Sequence, residues 1–187
     1  MQPWEIAATI IAVIVVLAIV GWVVYDRKRR QHLREHFGPE YDRTVAELGD
    51  KRRAESDLSR REAHISKVKI RPLTVSDRQK FSEQWRSCQA RFVDDPLGAV
   101  READDLVTDI MRARGYSFES HQERLEDISA AHPSHIEHCR LAEAVVLATK
   151  QRPGPFSTED LRKAFVHYRA LFDEMLEVKD EERKRAS

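Results

Sequence analysis

The sequence predicts an all-α protein in which a single N-terminal transmembrane helix is followed by a juxtamembrane helix and a cytosolic helical bundle. Three observations carry this. An uncharged apolar run of twenty residues extends from Ile6 to Tyr25; apolar residues elsewhere recur at steps of three and four; and no stretch sustains the period-two alternation of a half-buried strand. A hydrophobic fraction of 41% with 34% charged residues excludes a wholly disordered chain and a polytopic membrane protein. Six Gly, seven Pro and two Cys exclude collagen-like repeats and a disulfide-dense secreted scaffold. The equality of 32 basic and 32 acidic residues argues against nucleic acid as a partner.

About twenty helical residues cross a hydrocarbon layer roughly 30 Å thick, so Ile6 to Tyr25 reads as a membrane span. Lipid offers backbone groups no water, which requires a helix even where β-branched residues are frequent. Trp4 at one end, with Trp22 and Tyr25 at the other, suits the headgroup depth. A secretory signal peptide fits poorly, because Met1 to Glu5 has no basic residue and no small-x-small cleavage site precedes the charges. Arg27-Lys28-Arg29-Arg30 follows the span, against a single Glu5 before it, and basic flanks stay cytoplasmic. The expected location is therefore an inner membrane, single-pass, with the N-terminus out and the C-terminal domain in the cytoplasm. Arg27, Lys28, Arg29 and Arg30 are the expected membrane-surface residues, each attracted to anionic headgroups by about 1 kcal/mol.

The expected division is an anchor at 1–26, a basic juxtamembrane helical segment at 27–71, a helical bundle at 72–178 and a charged, frayed tail at 179–187. Residues 27–71 hold 14 basic and 8 acidic side chains, net +6, whereas 72–187 hold 18 and 22, net −4. In the juxtamembrane segment Leu33, Phe37, Tyr41, Val45 and Leu48 form a narrow stripe, continued by Leu58 and Ile65. Gly38-Pro39 should break it, and Gly49-Asp50 should interrupt it more weakly.

Four or five helices follow. Thr74 with Asp77 gives a capping box ahead of Phe81, Trp85, Cys88 and Phe92. Asp95-Pro96 reads as N-cap and first helical residue before Leu97, Val100, Ala103, Val107 and Ile110, and Gly115 closes that helix. A shorter element is expected over 119–128. Pro133 opens a helix carrying Ile136, Leu141, Val145 and Ala148. Arg152-Pro153-Gly154-Pro155 reads as a rigid loop, and Ser157 with Asp160 caps a last helix striped by Leu161, Phe165, Tyr168, Phe172 and Met175.

Candidate chemistry is sparse. His132, His135, His138 and Cys139 are the densest set of soft-metal ligands, with His121 upstream. In a helix opened by Pro133, His135 and Cys139 share a face, whereas His138 points elsewhere. A polar first turn is the plainer reading. Asp104-Asp105 with Asp109 misses the Asp-Asp-x-x-Asp magnesium spacing by one residue and reads as a solvated face beside Arg101 and Arg112. Cys88, between Trp85 and Phe92, reads as an inert core thiol. Phosphate-binding, dinucleotide-binding and nucleophile-elbow motifs are absent from the sequence. No catalytic residue and no cofactor is expected. The composition points to a non-enzymatic, membrane-anchored interaction or scaffold module whose partners are the bilayer and either another protein or itself. The alternative is a membrane-bound metal- or thiol-dependent enzyme using the His132 to Cys139 cluster.

The stretches His36-Phe37-Gly38-Pro39-Glu40-Tyr41-Asp42-Arg43, Gln89 to Pro96 with Phe92-Val93-Asp94-Asp95-Pro96, and Thr158-Glu159-Asp160-Leu161-Arg162 resemble a family of bacterial helical proteins, often membrane-anchored, whose activity is not known. Arg114-Gly115-Tyr116 and His167 to Phe172 fit the same family. The resemblance covers roughly residues 33–176 and implies a helical domain with no known cofactor. It also implies that Glu40, Asp42, Arg43, Asp95, Arg114, His132 and Arg162 could form a shared surface, with helix caps and salt bridges as the simpler role. An aromatic residue is expected in that family where Cys139 stands here, which weakens the metal reading.

Overall fold

A computed structural model describes the backbone over residues 3–151 and 156–176, and the side chains over 13–148 and 156–176. Every regular element among the described residues is helical, as the spacing predicts. The chain divides into two compact units, Met1–Ser59 and Arg60–Ser187.

Unit 1 begins with α1 (Pro3–Phe37), one uninterrupted helix that contains both the apolar run and the basic cluster. No helical break separates the expected anchor from the expected juxtamembrane segment. The break comes at Gly38, whose φ of 52° lies in the left-handed region that a residue bearing a Cβ rarely adopts. Pro39 then opens α2 (Pro39–Leu48), which ends on a second left-handed glycine, Gly49. Gly49 is thus a full helix stop rather than the weak interruption expected. After it, α3 (Lys51–Ile65) carries the chain across the boundary between the units.

Within unit 1, Leu33, Phe37, Tyr41, Ala54 and Leu58 are buried, while Leu48 at the end of the expected stripe is exposed. The Tyr41 hydroxyl donates to Glu55 Oε1 at 2.8 Å. Burial, with Glu55 beside it, pushes that phenol up to about 12. Among the described residues of α1 the apolar side chains from Val13 to Val24 lie largely exposed.

Unit 2 contains α4 (Val75–Arg91), α5 (Pro96–Ala113), α6 (His121–Ala131), α7 (Ile136–Gln151) and α8 (Thr158–Leu176). α8 packs on α5 and α7, and α4 packs on α5. The stripes expected for α4, α5 and α8 face one core built on Phe81, Trp85, Val100, Val107, Ile110, Tyr168, Phe172 and Met175. Trp85 stacks on Phe172 and Phe165, with ring centroids 4.6 and 5.0 Å apart.

The helix starts follow their caps. Thr74, Asp95 and Ser157 accept from the backbone N–H of Asp77, Gly98 and Asp160 at 3.0, 2.9 and 3.1 Å. Ser120 caps α6 in the same way, accepting from Glu123 N–H at 3.2 Å. The segment after α3 is tied to the end of α5 where Arg71 N–H donates to Arg114 O at 2.8 Å. Gly115 closes α5 at φ 99°, and a Cβ there would stand 2.8 Å from the Lys69 carbonyl oxygen. Both the backbone conformation and the space therefore require glycine.

α7 departs from expectation. It begins at Ile136, because Pro133 to His135 form a turn in which His135 N–H donates to His132 O at 2.9 Å. Its buried side is Ile136, Cys139, Ala142, Glu143 and Val146, and the expected core residue Leu141 is 45% exposed. The Arg152 to Pro155 loop and the tail from Lys179 lie outside the described residues.

Candidate functional site

The basic cluster after the apolar run is the first candidate. Arg27, Lys28 and Arg29 are exposed and Arg30 is half-buried, all on α1 just past Tyr25. Arg30 turns inward, with Nη2 2.8 Å from Asp26 Oδ2 and Nε 3.5 Å from Glu55 Oε2. Arg29 donates from Nη2 to Ser59 Oγ at 2.8 Å. The four cations expected as one surface are therefore two kinds, one internally neutralised and three facing outward.

The histidine and cysteine set separates in space. Cys139 lies in the core, where its Sγ is 3.5 Å from Glu143 Oε1. Burial and the Glu143 carboxylate hold this thiol well above its ordinary pKa, so it is neither a ready nucleophile nor a ready thiolate ligand. His132 has other partners, with Nε2 3.0 Å from the Tyr116 hydroxyl and Nδ1 3.0 Å from Glu174 Oε1. His135 stands 3.9 Å from the other Glu174 oxygen. His138 instead meets His167, a residue of α8, with Nδ1 atoms 2.8 Å apart. At that distance one ring must donate and the other accept.

Burial lowers the pKa of His132 despite its Glu174 partner, and lowers that of His167 with help from His138. Among the described residues no group of three or more His, Cys, Asp and Glu side chains is placed to hold a metal ion. The four sequence candidates thus do not converge on one point: His132 and His135 share Glu174, His138 lies against His167 with its ring centroid 6.0 Å from that of His135, and Cys139 is buried in the core. The other thiol, Cys88, is buried and pushed up to about 12 by burial and Glu102.

The polar feature that sequence reasoning missed is a buried charge cluster joining α5, α6, α7 and α8. Arg124 donates from Nη2 to Asp104 Oδ1 at 2.6 Å and from Nε to Glu143 Oε1 at 3.0 Å, and it also donates to Thr108. The Tyr168 hydroxyl donates to Asp104 Oδ1 at 3.1 Å. Burial opposes the Arg124 cation, but Asp104 and Glu143 outweigh it and raise its pKa. Burial and then Asp104 raise the Tyr168 phenol. One cation facing two carboxylates leaves a formal charge of −1, with His121 Nδ1 3.7 Å from Glu143.

Asp104 is therefore buried rather than part of a solvated acidic face. Asp105 and Asp109 are exposed as expected. The signal lay in register, because Arg124 sits four residues before the core residue Ile128, and Glu143 follows Ala142 on the inward side of α7.

No protein-family model, curated protein or solved structure matches the chain. The family resemblance rests on its sequence stretches alone. Glu40 and Arg114 are buried, Asp95 is an N-cap, and Arg43 and Arg162 pair with Glu47 and Glu159 at 2.8 and 2.7 Å.

Among the described residues no helix is long and apolar enough to cross a membrane. The expected span begins inside residues 1–12, whose side chains lie outside the description. Its described part, Val13 to Tyr25, rises only about 20 Å at 1.5 Å per residue, against roughly 30 Å of hydrocarbon.

Proposed function

We propose that the chain is a non-enzymatic, membrane-anchored helical module. In this reading the first part of α1 fixes it to a bacterial inner membrane as a single-pass protein, N-terminus out, with unit 2 facing the cytoplasm and binding a protein partner or a second copy. The carrying observation is the side of α1 from Val13 to Tyr25, where successive large apolar residues stand exposed until the sequence turns abruptly to Asp26-Arg27-Lys28-Arg29-Arg30. Water-facing helices keep such residues on one covered stripe, so contiguous exposure asks for an apolar surrounding. The continuous helical backbone supports the reading too, since every peptide group within the run is satisfied internally. Against enzymatic use, the Cys139 thiol is buried and the three histidines turn to Tyr116, Glu174 and His167.

The test is alkaline carbonate extraction of the full chain, combined with reporters fused after Ser187. Resistance to extraction and a reporter active only in the cytoplasm are expected. Release into the wash, or a reporter active only outside the inner membrane, overturns the reading. Crosslinking in native membranes then reports the partner, with a covalent adduct to unit 2 expected.

A further inference from the structure

We propose that a cleft between α1 and α3 binds the phosphate group of an anionic phospholipid headgroup, an inference that rests on the anchored reading above. The cleft encloses about 370 Å³ and lies wholly within unit 1. Trp22, Tyr25, Arg29 and Arg30 form its α1 wall, and Arg52 and Ser56 stand on the α3 wall. The aromatic pair is 65% and 67% exposed at the end of the apolar run. Flat amphipathic rings at that level suit the glycerol and upper acyl region of a lipid. Arg29 follows Tyr25 by one turn, about 6 Å further along the axis, which is where the phosphate layer lies beyond the acyl boundary.

The charges sort themselves in favour of an anion. The two carboxylates of the cleft, Asp26 and Glu55, are both taken up by Arg30, and Glu55 also accepts from Tyr41. With Arg29 and Arg52 the charged groups of the cleft, three Arg against Asp26 and Glu55, sum to a formal +1, which favours an anion. Arg29 bonds only the neutral Ser59 hydroxyl, and Arg52 is exposed with no ion-pair partner among the described residues, so one uncompensated guanidinium stands on each wall. Guanidinium groups offer paired N–H donors that match the oxygens of a phosphodiester. A headgroup with no cation of its own, such as phosphatidylglycerol, meets this arrangement without repulsion.

The full chain is reconstituted in vesicles of phosphatidylcholine alone or mixed with phosphatidylglycerol. Carbonate resistance is measured in both, and the lipids retained after mild detergent release are identified by native mass spectrometry. Enrichment of phosphatidylglycerol over phosphatidylcholine is expected. The enrichment should fall by more than about fivefold for each of R29Q and R52Q, since about fivefold is what diffuse attraction alone contributes per basic residue near the surface. The paired variant R27Q/K28Q removes equal charge outside the cleft and measures the diffuse share, a loss of about fivefold per residue, which the R29Q/R52Q double should clearly exceed. Equal losses in the R29Q/R52Q and R27Q/K28Q doubles would mean diffuse attraction and overturn the site. Displacement of the lipid by millimolar inorganic phosphate overturns the lipid as the source of the phosphate group. Retained insertion without enrichment sinks the headgroup site and leaves the anchor standing, whereas loss of carbonate resistance in pure phosphatidylcholine sinks both.

Discussion

Val16 on α1 and Val166 on α8 are exposed to nearly the same degree, 58% and 53%, yet their surroundings differ completely. Val166 stands among charged and polar neighbours on the outer side of a helix whose inner stripe is covered. Val16 stands in an unbroken series with Val13, Ile14, Val15, Leu17, Ile19 and Val20, all exposed. A single exposed valine is ordinary on a water-facing surface, whereas a contiguous series marks a surface that lipid or protein would cover. Exposure of one residue therefore carries little meaning until its neighbours are considered.

The strongest way to sharpen the contrast lies in the buried polar cluster of unit 2, which has no counterpart on the exposed part of α1. Arg124→Ala leaves Asp104 and Glu143 as unpaired buried carboxylates and should cost about 3–5 kcal/mol, seen as loss of cooperative melting. A melting temperature unchanged by that substitution would mean the cluster is solvated.

Next comes the direct exchange of the two valines. Val16→Arg places a charge within the expected span at a cost of about 2.5–3.5 kcal/mol, and it should reduce carbonate-resistant membrane retention sharply. Val166→Arg should leave both retention and melting as they were, since surface changes of this kind fall within about 0.5 kcal/mol. Equal tolerance at both sites would remove the distinction on which the anchored reading depends. Gly115→Ala combines positive φ with a 2.8 Å approach to the Lys69 carbonyl and should lower stability by about 1–3 kcal/mol, measured by urea denaturation.

The histidine edge of unit 2 gives a smaller, pH-dependent effect. His132 and His167 titrate lower in the fold than the ordinary 6.5, so the folded state holds fewer protons than the unfolded chain just below that value. Their contribution to stability is complete above about pH 6.5 and is lost as pH falls through the folded values. Arg114 and His138 reinforce this, whereas Glu174 and Glu137 oppose it. Asp127 runs the other way. Burial pushes its carboxyl up to about 6, so its contribution is present below the ordinary 3.8 and is lost as pH rises through about 6. Asp127→Asn should thus raise the melting temperature at neutral pH, while His132→Gln should flatten the acid limb of the melting profile. The smallest effect belongs to the half-exposed Arg43–Glu47 pair, where a double-mutant cycle should return about 0.3–0.5 kcal/mol.

What could be read from the sequence followed from side chains that declare their environment. Phe81, Trp85, Leu161, Tyr168 and Phe172 are large and apolar, and their spacing gave helix and core together. Thr74, Asp95 and Ser157 declared helix starts through the one bond each can make to an orphan amide. α7 differs from its expected stripe because the middle of its inward side, between Ile136 and Val146, is Cys139, Ala142 and Glu143, two small residues and a charge, while the larger Leu141 faces outward. Arg124, Asp104 and Glu143 looked like solvated polar residues because each is stable inside only with the others, and pairing across three helices is invisible to local spacing. The separation of Cys139 from His132, His135 and His138 was hidden for a related reason, since Glu174 and His167 come from a helix far along the chain.

The absence of any break in α1 between Tyr25 and Leu33 has a mechanical consequence. Leu33 and Phe37 are buried in unit 1, so the angular position of everything before them is set by helical repeat alone. One inserted residue between Arg30 and Leu33 would swing Trp22 and Tyr25 by about 100° around the axis, and a seven-residue insertion would bring them back to within about 20° of their original heading. The segment behaves as a keyed shaft, in which the heading of Trp22 and Tyr25 is fixed by the number of residues that separate them from Leu33.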